Sequence, residues 1–353
     1  MVQRVITGIV LVAVLLPCIV FGDWAFFVLF AVFSVVGVHE ILKAPGPRKY
    51  NWLVQLVVYV FVLSFIFWIF LKDYWYSEVS PLNGNSGFYL DTIYISVIAL
   101  VIYLFLLFLI AIATPKVQLS DVTYLFSIGV FFALGFQGMY FLRYFGNGAG
   151  FYGNTTLITT SFTDTPIKAS NYFASYYEAY GLNQSYASCL TFCYLLIGTW
   201  MADVGAYFFG MLFGKHRMNP RISPHKTWEG FFGGVLVSIA FSLGFAAIFE
   251  YCFDMPLIPG ILQFQHSDFL ESAGVFGGTA WPFIVLCSVL MPFVGNIGGF
   301  LFSLIKRQFG IKDFGNFFPG HGGVIDRFDS VMSNAVVIAC IVVITAGGWN
   351  LMV

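Results

Sequence analysis

The stretch Ser303–Asp329, SLIKRQFGIKDFGNFFPGHGGVIDRFD, gathers Lys306, Arg307, Lys312, Asp313, His321, Asp326, Arg327 and Asp329 inside a chain that is otherwise largely apolar. Lys306, Arg307, Lys312 and Arg327 are cations suited to phosphate. Asp313, Asp326 and Asp329 are hard oxygen ligands, the kind that hold Mg²⁺ together with substrate phosphates. In Pro319-Gly320-His321-Gly322-Gly323 the glycines let backbone N–H groups come close to an anion. His321 could donate to a phosphate oxygen or work as an acid/base. Asp326 and Asp329 are three apart at an expected helix start, so they share a face. Together these groups point to nucleotide-phosphate chemistry with a divalent metal. A basic cytoplasmic loop with turn glycines would account for Lys306 and Arg307 alone. It would not require a His between glycines followed by Asp-Arg-x-Asp.

A second constellation reads DVGAYFFGMLFGKHRMNPRISPHKTWEGFFGG over 203–234. Asp203 is an acid within, or at the end of, an apolar helix, and such acids are functional candidates. Tyr207 lies one turn on. Lys215, Arg217, Arg221 and Lys226 make a basic loop. Ser223-Pro224 has the form of a helix N-cap followed by Pro at the first helical position. That places His225, Lys226, Thr227 and Glu229 on the first turns, near an N-terminus that attracts phosphate. Gly205, Gly210 and Gly214 are equally explained as close-packing positions.

The elements that carry these groups must cross a membrane. Of the 353 residues, 59% are hydrophobic and 9% charged, against roughly a quarter charged in soluble domains. The expected architecture is all-α and polytopic, with about nine transmembrane helices near 5–22, 24–42, 52–71, 93–113, 123–144, 186–213, 229–250, 276–305 and 328–349. The segment 276–305 contains Pro292 and Gly295, Gly298 and Gly299, so a kinked or broken helix is expected beside the site. The chain divides into N-terminal transmembrane helices over 1–145, an extracytoplasmic loop over 146–185 and a C-terminal catalytic transmembrane region over 186–353. The basic loops fall on one side under this count, and the positive-inside rule makes that side cytoplasmic. Arg4 and the apolar run after it resemble a signal peptide, but the next span follows almost at once, so the first segment is expected to be retained. A net charge of −1 gives no signal for nucleic acid. The six cysteines are scattered and read as packing residues.

The Ser303–Asp329 stretch closely resembles the signature of phosphatidate cytidylyltransferases, the CDP-diacylglycerol synthases. That pattern runs S-x-hydrophobic-K-R, four residues, K-D, then P-x-H-G-G and D-R-hydrophobic-D. Here it is filled by Ser303, Lys306-Arg307, Lys312-Asp313, Pro319, His321-Gly322-Gly323, Asp326-Arg327 and Asp329. The upstream stretch resembles the same family's D-x-x-A-Y and S-P-x-K-T-x-E-G through Asp203, Ala206-Tyr207, Ser223-Pro224, Lys226-Thr227 and Glu229-Gly230. The likeness covers about 195–332 well and the N-terminal half only in hydropathy. Many bacterial members carry an acid where this chain has Gly299, and the eukaryotic branch resembles this chain there. Asn296 or Asp203 is then a candidate substitute.

The resemblance implies an enzyme that condenses CTP and phosphatidate to CDP-diacylglycerol and pyrophosphate, using Mg²⁺ with or without a monovalent cation. It implies Asp326 as the leading metal ligand, with Asp313, Asp329 and Asp203 assisting. Lys226, Lys306, Arg307, Lys312 and Arg327 would hold phosphates, with Ser223, Thr227, Gly322 and Gly323 contributing. The partners would be CTP, phosphatidate and membrane lipid, with no nucleic acid and a homodimer left open. The site would face the cytoplasm, in a bacterial cytoplasmic membrane or, for a eukaryotic chain, the endoplasmic reticulum. A CTP-dependent lipid kinase and a secondary transporter for an anionic solute are the alternatives. A CDP-alcohol phosphotransferase is disfavoured by the absence of D-G-x-x-A-R.

Overall fold

The computed structural model describes residues 2–46, 49–79, 92–144, 184–253, 257, 281–320 and 322–345. Residues 146–183 of the expected loop 146–185, and His321, lie outside the described residues, while Gln184 and Ser185 already belong to a helix. Among the described residues there are nine helices: α1 Val2–Phe21, α2 Asp23–Lys43, α3 Trp52–Val79, α4 Thr92–Ala113, α5 Leu119–Tyr144, α6 Gln184–Phe213, α7 Trp228–Phe253, α8 Trp281–Gln308 and α9 Ile325–Thr345. Five are long and apolar enough to cross a membrane, with windows Trp24–Lys43, Leu119–Arg143, Cys189–Phe213, Trp228–Phe253 and Trp281–Gln308. Shorter apolar stretches lie in α1, α3 and α4. The all-α polytopic expectation holds.

Between apolar helices in lipid, burial against lipid offers no gain, so close packing and interhelical hydrogen bonds carry association. The α6–α7 pair shows this. A Cβ at Gly230 would stand 2.7 Å from the Ala206 carbonyl oxygen, and one at Gly234 would stand 2.6 Å from that of Ala202. Glycines spaced four apart on α7 therefore bring its backbone onto α6. Ser238 adds a hydrogen bond of 2.7 Å from its hydroxyl to the Gly198 carbonyl. Helix α5 sits centrally and packs against α2, α3, α4, α6 and α9. Arg143, at its end, is fully buried and donates through Nε to the Ile19 carbonyl at 2.6 Å, at the C-terminus of α1.

One local expectation needs correction. Ser223 is not a helix cap. Ser223–Thr227 is a strand, β2, paired antiparallel with β1 at Arg217–Asn219. Pro224 fits because a two-stranded ribbon has two edges, where a missing N–H costs nothing. The cap falls to Thr227 instead, whose Oγ1 accepts the Gly230 N–H at 3.2 Å. Of the kinked or broken alternatives around Pro292, the unbroken one holds: α8 runs through it as one helix of 28 residues with Pro292 inside. At 1.5 Å per residue that is roughly 42 Å, one crossing with a polar end to spare.

Candidate active site

Helix α9 sets the site through its periodicity. Asp326, Asp329–Ser330 and Ser333–Asn334 recur at three- and four-residue steps and so lie along one face. The opposite face is anchored: the Phe328 ring packs on Phe30, Phe33 and Phe136, with centroids 6.2, 5.4 and 6.3 Å away. Helix α8 comes close to the polar face because Gly295, Gly298 and Gly299 have no side chains there. A Cβ at Gly298 would overlap Ser333.

A cavity of about 210 Å³ opens between α6, β2, α7, α8 and α9. Its wall includes Asp203, Lys226, Asn296, Ser330 and Asn334, with Tyr207 and Phe231. The two motif stretches thus meet. Lys226 Nζ donates to Asn296 Oδ1 at 2.9 Å and sits 4.6 Å from the Phe300 ring centroid. Burial pulls the Lys226 ammonium pKa below the usual lysine value. The Asp203 and Asp329 carboxylates pull it partly back, and Lys306 adds to the lowering. A second link is Arg307, whose Nε donates to the Ile222 carbonyl at 3.2 Å and whose Nη1 reaches the Ile311 carbonyl at 3.3 Å.

Gly299 lies inside this cluster. A Cβ there would be 3.1 Å from Lys226 Nζ, 3.6 Å from Ser330 Oγ and 3.9 Å from Asp329 Oδ2. Asn296, nearly one turn earlier on α8, supplies the acceptor that Lys226 uses. Asn334 is 1% exposed and donates from Nδ2 to Thr199 Oγ1 at 2.8 Å, while its Oδ1 has no partner among the described residues.

Asp326 is committed to protein donors. Oδ1 accepts Lys306 Nζ at 2.8 Å, and Oδ2 accepts the N–H groups of Phe314 at 2.8 Å and Gly323 at 3.0 Å. The glycine N–H groups expected to cradle phosphate are also engaged. Gly323 donates to Asp326, and Gly322 donates to the Phe318 carbonyl at 3.1 Å across a tight turn. Gly320 and Gly322, at φ 77° and 91°, supply the left-handed backbone that the turn requires. Lys312, Asp313 and Arg327 are exposed. Asp313 lines a second cleft, with Lys43 and Asn316, between the end of α2 and the loop after α8. Ser223 pairs in the hairpin through its backbone, and Thr227, whose Oγ1 accepts the Gly230 N–H, lines the cavity.

Among the described residues no three His, Cys, Asp or Glu side chains converge on one metal position. Mg²⁺ does not need three, since one or two carboxylates with substrate phosphates and water suffice. Asp203 has no hydrogen-bond partner among the described residues. Asp329 accepts the Ser330 N–H and hydroxyl on Oδ1 alone, at 2.7 and 3.3 Å. These two carboxylates, both beside Lys226, fit such an ion.

Sequence reasoning passed over two groups. Asn334 and Thr199 read as ordinary helix polar residues, although the spacing of Asn334 from Asp326 was available. Glu40 on α2 gave only the signal of a buried acid in an apolar helix. Its two oxygens accept the Val324 and Ile325 N–H groups, each at 3.0 Å.

The chain is similar to curated phosphatidate cytidylyltransferases, among them three from staphylococci. That of Staphylococcus epidermidis is 38% identical over 143 residues, 40% of this chain and 44% of the relative. Those of Staphylococcus haemolyticus and Staphylococcus aureus are 37% and 33% identical over 139 residues, each covering 39% of this chain and 44% of the relative. The chain thus spans less than half the length of the curated relatives it matches. The model of the Cytidylyltransferase family, by contrast, matches residues 2–345. With every described residue inside that match, this chain belongs to the cytidylyltransferase family.

Proposed function

We propose that this protein is a phosphatidate cytidylyltransferase, condensing CTP with phosphatidate to CDP-diacylglycerol and pyrophosphate. The reading rests on one observation above all: Lys226 from the hairpin after α6 reaches Asn296 of α8 within a cavity that also carries Asp203 and borders α9. A half-buried cation with two carboxylates nearby, at the polar end of apolar helices, suits a phosphate that arrives from lipid and a triphosphate that arrives from water.

In the reaction, an oxygen of the phosphatidate phosphate attacks the α-phosphorus of CTP. The bond from that phosphorus to the bridging oxygen breaks, and pyrophosphate leaves with the bond's electrons. The chain's part is orientation and charge neutralisation. Lys226 holds a phosphate at the cavity wall, its direction set by Asn296. Lys306, Arg307, Lys312 and Arg327 surround the polar end of α8 and the start of α9 and bind the remaining phosphate charge. Asp326 aims Lys306 and ties the Phe314 and Gly323 loops together. Asp203 and Asp329 are the residues that would hold Mg²⁺, which supplies neutralisation of the triphosphate when bound. The basic loops at this end support a site on the cytoplasmic face, where CTP is found.

The test is pyrophosphate release by purified protein in mixed micelles. Release that requires CTP, Mg²⁺ and phosphatidate together is expected. Release independent of phosphatidate, or none, would overturn the assignment.

A further inference from the structure

We infer that Glu40, on α2, is a positioning residue for the site: its carboxylate clamps the start of α9 and so holds Asp326, and through it Lys306, in place.

Glu40 is 4% exposed within an apolar helix. A carboxylate there is costly unless its oxygens are satisfied. Both are, by the adjacent Val324 and Ile325 N–H groups at the N-terminus of α9. Those donors carry the positive end of the helix dipole. Asp326 takes the next donor back, Gly323, and also Phe314. Two carboxylates from opposite ends of the chain thus share one turn, and together they account for three successive N–H groups.

Two glycines make room for this arrangement. A Cβ at Gly315 or at Gly323 would overlap the Glu40 carboxylate. The acid therefore threads between the loop after α8 and the turn before α9, touching both. Thr7 on α1 adds a contact to the same turn, donating to the Pro319 carbonyl at 2.9 Å. A helix start needs only a local Ser, Asp or Asn to be capped. Using an acid 284 positions upstream ties the N-terminal helices to the loop instead. The expected role is fixing the position of Asp326 and Lys306, which affects turnover more than lipid binding.

The test uses the full chain in lipid micelles, with Glu40→Ala and Glu40→Gln. It depends on the proposed reaction only for its kinetic half. Glu40→Ala is expected to lower kcat about 10- to 100-fold, the usual range for a partner that orients a site group, with the phosphatidate KM within about twofold and thermal unfolding still cooperative. Glu40→Gln keeps one acceptor oxygen of the same reach and should retain an intermediate kcat. The second half needs no reaction. A single thiol at Phe317, an exposed loop position, in a variant without the native cysteines should react several-fold faster with a maleimide when Glu40 is Ala. An unchanged labelling rate overturns the clamp, whatever the activity. So does an unchanged kcat, or a kcat loss that matches the loss of folded protein in both variants. A parent protein that makes no product from CTP and phosphatidate counts against the reaction and leaves the labelling result to decide the clamp.

Discussion

Lys226 Nζ donates to Asn296 Oδ1 at 2.9 Å, joining the β-hairpin after α6 to the middle of α8. A hydrogen bond to a charged group contributes about 1.5–3 kcal/mol. Asn296→Leu should therefore lower kcat/KM by about tenfold or more, since Lys226 loses its anchor. Asn296→Asp keeps an acceptor and should stay close to the parent. Steady-state kinetics on both variants decide the matter, and a Leu variant with parental kcat/KM would show that Lys226 needs no anchor.

Lys226 also makes a pH prediction. Burial lowers its pKa, and the charged form is the one that binds phosphate. As pH rises through the lowered pKa the charge is lost, so kcat/KM should fall on the alkaline side before the ordinary lysine range of about 10.4. Lys226→Arg stays charged across that range, and its alkaline limb should move outward. Identical limbs in the two profiles would place Lys226 outside phosphate binding.

Asp326→Asn should abolish turnover while the protein still inserts and folds. The substitution strips the charge that holds Lys306, in a pair whose side chains are 12% and 3% exposed. Breaking a buried pair from one side typically costs about 3–5 kcal/mol, here directed at the site rather than at the apolar helix packing. Activity together with gel filtration in detergent tests both halves. A monodisperse variant with near-parental turnover would remove Asp326 from the machinery.

Both motif stretches belong at one end of the helices. Cysteines at Lys215 and Gln308, in a variant without native cysteines, should label with an impermeant thiol reagent from the same, cytoplasmic, side. Labelling from opposite faces would break the joint site apart.

The helices were legible because apolar runs about as long as a bilayer is thick leave few alternatives, and the bounds of α4 and α5 fall within four residues of those expected. The start of α9 was legible from Asp-Arg-x-Asp followed by an apolar run. The strand at Ser223–Thr227 was hidden because Ser-Pro before a helical run is equally good as a cap, and only pairing with Arg217–Asn219 decides between them. The loop glycines were read for their freedom, but their N–H groups are spent on Phe318 and Asp326. Local sequence carries no record of such partners. Glu40 was illegible for the same reason, since its contacts lie nearly the whole chain away.

The central claim is transfer of the cytidylyl group to lipid, and the position of one label tests it most directly. Purified protein, Mg²⁺ and phosphatidate are incubated with CTP labelled at either the α- or the γ-phosphate. The account predicts that α-label enters the lipid phase and γ-label leaves as pyrophosphate. Lipid carrying the γ-label would mean phosphoryl transfer, and lipid carrying neither label would contradict the enzyme outright.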